Sequence, residues 1–147
     1  VDEAVSNDFG EKKPRQDSQD PKSAVGRPDY DSKNDTEGYY SMGKKGTGVW
    51  KFTDNSLIDG PGDDLVIFEI GPDTEPVTVE ISKDGSNWIT IGKTAGGRNS
   101  GDIDGKAAAG DVFFYVRLKD VEGRSSGRWP GADLDAIAAI NGKVVGQ

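Results

Sequence analysis

Residues 77–91 read VTVEISKDGSNWITI and carry the clearest structural signal in the chain. Their first half alternates Val, Val and Ile with polar residues, the period of two that turns one face of a strand inward and the other toward water. Asp84 and Gly85 then supply the residues of a tight antiparallel turn, and apolar alternation resumes at Ile89. This segment predicts a β-hairpin with one buried face.

Short runs of β-branched and aromatic residues recur from Gly38 onward, separated by glycine-rich connections. The 21 glycines and 7 prolines of the chain interrupt long helices and favour turns. The alanine-rich run before Gly142 could form a helix, but a strand fits its neighbours better. The predicted strands are Tyr39–Met42, Val49–Phe52, Leu65–Ile70, Val77–Ser82, Trp88–Ile91, Val112–Leu118 and Leu134–Ile140. Short antiparallel strands of this kind bury one face against a second sheet, which predicts an all-β antiparallel sandwich or jelly roll.

The first 22 residues differ in texture from the rest of the chain. The stretch VDEAVSNDFGEKKPRQDSQDPK is polar, mixed in charge and without periodicity. Such a segment buries too little apolar surface to offset the entropy lost on ordering. We expect residues 1–22 to form a flexible leader or linker and residues 23–147 to form the β-sandwich domain.

Charge and composition exclude several classes of function. The net charge of −8 at pH 7 opposes binding to nucleic acid, and no apolar run is long enough to insert into a membrane. The absence of histidine and cysteine removes Ser-His-Asp, Cys-His and histidine-ligated zinc chemistry. The sequence indicates a protein that is not an enzyme, with a glycosidase that uses paired carboxylates as the remote alternative.

Two segments concentrate carboxylates beside glycines at the starts of predicted strands: DGPGDDLVIFE at 59–69 and GADLDA at 131–136. Calcium binds six to eight hard oxygens, and glycine-rich loops add backbone carbonyls to the carboxylates. Asp133 and Asp135 would face the same side of one strand, where a cation would relieve their repulsion. A calcium site is one interpretation, and aspartates that cap turns in solvent are the other.

Five segments in order carry a family resemblance: AVGRPDYD (24–31), DGPGDDLVIFEIG (59–71), VEISKDGSNWITIG (79–92), FFYVRLKD (113–120) and GRWPGADLDAIAAING (127–142). Together they resemble a bacterial cell-surface module that occurs in secreted proteins and attached to OmpA-like proteins of the outer membrane. The resemblance implies a discoidin-like, galactose-binding type of sandwich, often with a structural calcium, in a secreted or cell-surface protein. It implies a set of calcium ligands comprising Asp59, Asp64, Glu69, Asp133 and Asp135, whereas Asp63 stands where the module usually has proline.

Loop residues suggest where a partner would bind. Trp129 and Arg128 lie in the loop 123–131, where an exposed indole beside an arginine would suit a sugar ring. The alternative is that Trp129 folds back to cap the sandwich. Arg98 and Asn99, in the polar loop 95–102, either join the binding edge or are simply solvated.

Two further tryptophans, Trp50 and Trp88, fall within strand patterns and are assigned to packing. The sequence as a whole predicts a non-catalytic, calcium-stabilised extracellular module that binds carbohydrate or another cell-surface component. A structural or adhesion domain that mediates protein–protein contacts is the alternative.

Overall fold

The computed structural model describes residues 1–33, 38–71, 74–94, 98–123 and 127–146. Its strands are β1 (Glu3–Asp8), β2 (Tyr40–Ser41), β3 (Thr47–Lys51), β4 (Asn55–Ile58), β5 (Leu65–Glu69), β6 (Val77–Ser82), β7 (Ile89–Lys93), β8 (Arg98–Gly101), β9 (Val112–Phe113), β10 (Tyr115–Asp120), β11 (Asp133–Ala139) and β12 (Gly142–Val144). Two short 3-10 segments, Gln16–Ser18 and Pro21–Ala24, lie between β1 and β2. No helix among the described residues has the length and apolar character needed to cross a membrane.

The strands form two larger sheets and one small one, with antiparallel pairing in each. The five-stranded sheet has the order β1-β3-β10-β6-β7, the four-stranded sheet β2-β11-β5-β8, and the small sheet β12-β4-β9. Side chains from both larger sheets belong to one buried apolar cluster, so these sheets are the two layers of a sandwich. The predicted all-β antiparallel sandwich is confirmed.

The core contains Trp50 of β3, whose side chain has no solvent exposure. A Cβ added at Gly48 would lie 2.3 Å from the Trp50 ring, so only glycine leaves room for this indole. Tyr40 packs edge-on against the same ring, with 5.8 Å between ring centroids. The Trp50 indole also donates a hydrogen bond to the Pro21 carbonyl at 2.9 Å. The core therefore ties the two sheets to the 3-10 segment that lies between β1 and β2.

The predicted strand segments all contain strand, and the hairpin at residues 77–91 forms from β6 and β7. The alanine-rich run is strand β11, as predicted. One predicted strand, Val112–Leu118, is divided into β9 and β10, which belong to different sheets. Phe114 lies at the division, where its backbone N–H donates to Ser82 and its carbonyl accepts from Phe52.

The N-terminal segment differs from the predicted flexible leader. Strand β1 pairs with β3 along the edge of the five-stranded sheet, with a bulge at Val5. Val1 is buried, and its α-ammonium donates to the Ile137 carbonyl at 2.7 Å. The physical reason is that an edge strand is held by backbone hydrogen bonds and can keep polar side chains in solvent, so it needs no apolar period.

A second correction concerns the polar loop predicted at 95–102. Arg98–Gly101 is strand β8, which pairs with β5 from Leu65 to Phe68. Because β5 is a buried strand, its open edge requires a partner, and backbone pairing overrides the polar composition of β8. The first part of that predicted loop, residues 95–97, lies outside the described residues.

Candidate functional site

The five predicted calcium ligands do not surround one point. β5 and β11 are antiparallel, with Leu65 opposite Ala139 and Glu69 opposite Leu134. Asp133 lies opposite Ile70, six residues along β5 from Asp64, so Asp64 and Asp133 lie at opposite ends of this strand pair, about 20 Å apart at the usual rise of a strand. A single ion cannot bind all five residues, and the predicted ligand set is corrected: Asp59 and Asp64 belong to one group, Glu69 and Asp133 to another, and Asp135 to neither.

Asp59, Asp64 and Asp102 form the first group, hereafter the carboxylate cluster. One carboxylate oxygen from each lies within 4.8 Å of the others. Asp64 is fully buried, Asp59 is half-buried and Asp102 is exposed. Burial raises the pKa of Asp59, with further contributions from the negative charges of Asp104, Asp64 and Asp102. Three hard oxygen donors that repel one another are a donor set suited to calcium.

Asp64 holds the cluster in place through backbone and side-chain contacts. Its carboxylate accepts hydrogen bonds from the backbone N–H of Gly60 at 2.8 Å and of Ile103 at 2.9 Å. The Asn141 amide donates to the same carboxylate at 2.8 Å. These bonds join the loop before β5, the loop after β8 and the turn after β11, which fixes the loops that carry Asp59 and Asp102.

Glu69 and Asp133 form the second group, at the other end of β5. The Ser41 hydroxyl of β2 donates to the Asp133 carboxylate. Burial raises the pKa of Asp133 to about 7, and the nearby Glu69 adds to the rise. Burial thus favours the protonated form of Asp133 over the charged form.

Asp135 has a structural contact of its own. One of its oxygens accepts from the backbone N–H groups of Asp29 and Tyr30, both at 3.1 Å. The residue sits at the bulge of β11, where the register against β5 shifts between Leu134 and Ala136. Burial raises the pKa of Asp135, while these two hydrogen bonds oppose the rise. Asp135 therefore fastens the 29–30 backbone to the four-stranded sheet.

A groove of about 120 Å³, hereafter the β7–β8 groove, lies between the edge strands of the two large sheets. Four aliphatic residues, two glycines and five polar or charged residues line it: Leu65, Ile67, Val79, Ile91, Gly92, Lys93, Thr94, Asn99, Ser100, Gly101 and Asp102. Asn99, predicted as a ligand-binding residue, is among them. Asp102 belongs both to this groove and to the carboxylate cluster. Sequence reasoning missed Asp102, whose only signal is its position directly after a short polar strand.

The other predicted ligand-binding residues lie elsewhere. The Arg98 guanidinium sits 5.4 Å from the centroid of the Phe68 ring, and Arg98 does not line the groove. Trp129 is half-buried with the Arg15 guanidinium 5.9 Å from its ring centroid. The Arg128 carbonyl accepts from the Arg15 backbone N–H at 3.2 Å. Trp129 and Arg128 thus contact the N-terminal segment; residues 124–126 of their loop lie outside the described residues.

Comparison with known proteins supports the fold. No protein-family model matches the chain, and no curated protein matches it. The chain is similar to the solved C-terminal domain of a chitobiase from Bacteroides fragilis, with a TM-score of 0.53 and 15% sequence identity. The match covers 97% of this chain and 94% of that domain. At this identity the likeness establishes a shared β-sandwich fold.

Proposed function

We propose that this chain is a non-catalytic binding domain that takes one sugar unit of a glycan, or a similar hydroxyl-rich group of a cell-surface component, in the β7–β8 groove beside bound calcium. The observation that carries the proposal is the double position of Asp102, which lines the groove and belongs to the carboxylate cluster. A calcium ion held there would sit at the rim of the groove, where ligand hydroxyls can complete its oxygen shell.

The walls of the groove suit a small ligand with one apolar and one polar side. Ile91 is half-buried and supplies aliphatic surface above the buried Leu65, Ile67 and Val79, whereas Asn99 and Ser100 supply an amide and a hydroxyl. A sugar ring has C–H groups to pack on such a surface and hydroxyls that need hydrogen-bond partners. The small volume of about 120 Å³ suits a single ring better than a longer saccharide.

The calcium component rests on the donor set of the carboxylate cluster. Carboxylates from two distant loops approach within 4.8 Å of one another. Calcium is the biological cation whose preference for six to eight hard oxygens suits three carboxylates together with backbone carbonyls and ligand hydroxyls. Asp133 and Glu69, at the far end of β5, are outside this set.

The residues that line the groove support a non-catalytic domain. Glycoside hydrolysis needs two carboxyl groups that flank the bond to be broken. Asp102 is the one carboxylate of the groove wall as described, and Asp64 beside it is fully buried and held by three N–H donors. The residues of the groove wall therefore favour ligand binding over the glycosidase alternative.

The resemblance to a bacterial cell-surface module supports placing the domain in a secreted or OmpA-associated protein, outside the membrane itself. The acidic net charge of −8 disfavours nucleic acid as a partner. An adhesion domain that contacts other proteins is the competing proposal, and it predicts calcium-dependent self-association in place of sugar binding.

Calorimetric titration tests the proposal. Chitobiose is the first probe, because the similar fold belongs to a chitobiase, with galactose and glucose as further probes. We expect binding that requires calcium and is lost in EDTA, and that weakens at least about tenfold in Asn99→Ala and Asp102→Asn. Trp129→Ala is the matched control, because Trp129 contacts Arg15 and does not line the groove. The proposal fails if no probe shows calcium-dependent binding, or if Trp129→Ala abolishes it while Asn99→Ala does not.

A further inference from the structure

A second cavity, hereafter the Trp88 cavity, lies at the turn between β6 and β7. It has a volume of about 380 Å³, within the range of small-molecule sites. Its lining residues are Lys83, Asp84, Asn87, Trp88, Ile89 and Phe113, and none of them lines the β7–β8 groove or belongs to the carboxylate cluster. Any ligand bound here would be independent of the proposed calcium site.

Trp88 is the aromatic residue of this cavity that is not fully buried, whereas Phe113 has no solvent exposure. The sequence assigned Trp88 to packing, but β7 begins one residue later and the indole is half-buried. The Arg117 guanidinium lies 4.2 Å from its ring centroid, and Arg117 is in turn bound to the Glu80 carboxylate. Lys119 also binds Glu80, at 3.0 Å. A chain of contacts from the outer face of the sheet thus holds the ring in one orientation before any ligand arrives.

The polar residues of the Trp88 cavity are also held in place. Asp84 accepts from the backbone N–H groups of Ser86 and Asn87, each at 2.8 Å, and from the Asn87 amide nitrogen at 2.8 Å. These bonds keep the pKa of Asp84 well below its usual range. The orientation of the Asn87 amide is therefore set by Asp84, and binding a ligand would cost little side-chain entropy.

Charge in the Trp88 cavity is balanced within the protein. Lys83 pairs with Asp111, and its ammonium lies 5.8 Å from the Phe113 ring centroid. The Asp84 charge is met by the N–H groups of its own turn. A cavity with no unbalanced charge favours a neutral polar ligand over a phosphate or a metal ion.

We propose that the Trp88 cavity binds one or two rings of a neutral oligosaccharide. The half-buried Trp88 ring offers surface to the C–H face of a sugar, with the fully buried Phe113 behind it, while Asp84, Asn87 and Lys83 meet its hydroxyls. This site is separate from the β7–β8 groove and does not depend on the function proposed for that groove. With both sites occupied, the domain would hold a glycan at two points along β7 and gain avidity.

The test follows indole N–H resonances by NMR in EDTA, so that the calcium-dependent site is silent. Chitotriose and cellotriose are titrated into the intact chain. We expect a saturable shift of the Trp88 indole resonance, whereas Trp50, fully buried and bonded to Pro21, should not move. Asn87→Ala should weaken binding at least about tenfold, and Asn99→Ala, in the other site, should leave it unchanged.

The proposal is overturned if neither saccharide moves the Trp88 resonance, or if Asn87→Ala binds as tightly as the unmodified chain. Trp88→Phe gives a second test. The smaller phenylalanine ring still lines the cavity but offers less surface, so saccharide binding should weaken. Asn87 is in an exposed turn, so we expect its variant to retain the fold even where a Trp88 substitution does not. If no saccharide binds to the Trp88 cavity in EDTA while calorimetry still detects calcium-dependent binding at the β7–β8 groove, this inference is wrong and the proposed function stands.

Discussion

The Asn141 side-chain amide donates a hydrogen bond to the Asp64 carboxylate at 2.8 Å, across 77 positions of sequence. The same carboxylate accepts from the backbone of Gly60 and of Ile103, and the Asp64 carbonyl accepts from the backbone of Ile140 at 2.6 Å. One buried aspartate thus joins three loops at the end of the four-stranded sheet. The shape of the carboxylate cluster depends on it.

Asp64→Ala should therefore lower the free energy of unfolding by about 3 kcal/mol or more, because it leaves buried N–H groups without an acceptor. Asp63→Ala is the matched control: Asp63 is exposed, contacts Ser100 and should cost less than about 1 kcal/mol. Urea denaturation of both variants measures the difference. Equal destabilisation by the two substitutions would contradict the role given to Asp64.

Gly48→Ala tests the packing of the core. A Cβ at Gly48 would meet the Trp50 ring at 2.3 Å, and the fully buried ring has little space to move. We expect a loss of about 1–3 kcal/mol in unfolding free energy, the usual cost of overpacking. Gly92→Ala is the control, because a Cβ at Gly92 meets nothing within 4 Å, and it should be neutral or slightly stabilising. Thermal unfolding of the two variants measures the difference. A Gly48→Ala variant as stable as the unmodified chain would contradict the tight contact between position 48 and the Trp50 ring.

Asp133 should make stability depend on pH. Burial raises its pKa from 3.8 to about 7, so between those values the folded protein binds more protons than the unfolded chain. The contribution of Asp133 to the free energy of unfolding is fully present below about pH 4. It declines as pH rises toward about 7, by up to about 1.4 kcal/mol per pH unit. Urea denaturation at several pH values in EDTA measures the effect. As pH rises from about 4 to about 7, the free energy of unfolding should fall less steeply for Asp133→Asn than for the unmodified chain. Parallel pH profiles of variant and unmodified chain would count against the buried, protonated carboxyl.

The sequence predicted the parts of the fold that depend on local pattern. The hairpin at 77–91 was predictable because its apolar alternation and its Asp-Gly turn are adjacent in the chain. The strand character of the alanine-rich β11 followed from its bounding glycines. Strand β1 was not predictable, because Glu3–Asp8 has polar side chains and is held by backbone pairing with a distant edge.

The candidate site was only partly predictable, because sequence does not give the register between distant strands. Asp64 and Asp133 each begin an apolar strand, and only antiparallel pairing of β5 with β11 shows that they lie at opposite ends. Asp102 joins Asp59 and Asp64 through the pairing of β8 with β5. Asn99 was identified as a candidate from polarity, and the same criterion gave Arg98, which packs on Phe68 instead.

Anomalous diffraction from crystals grown with calcium and chitobiose tests the proposed function most directly. The account predicts a calcium peak among the carboxylates of Asp59, Asp64 and Asp102, with a sugar ring between β7 and β8 in contact with Asn99. A calcium peak beside Glu69 and Asp133 with nothing at Asp102, or a sugar bound against Trp129 with the groove filled by water, would contradict it.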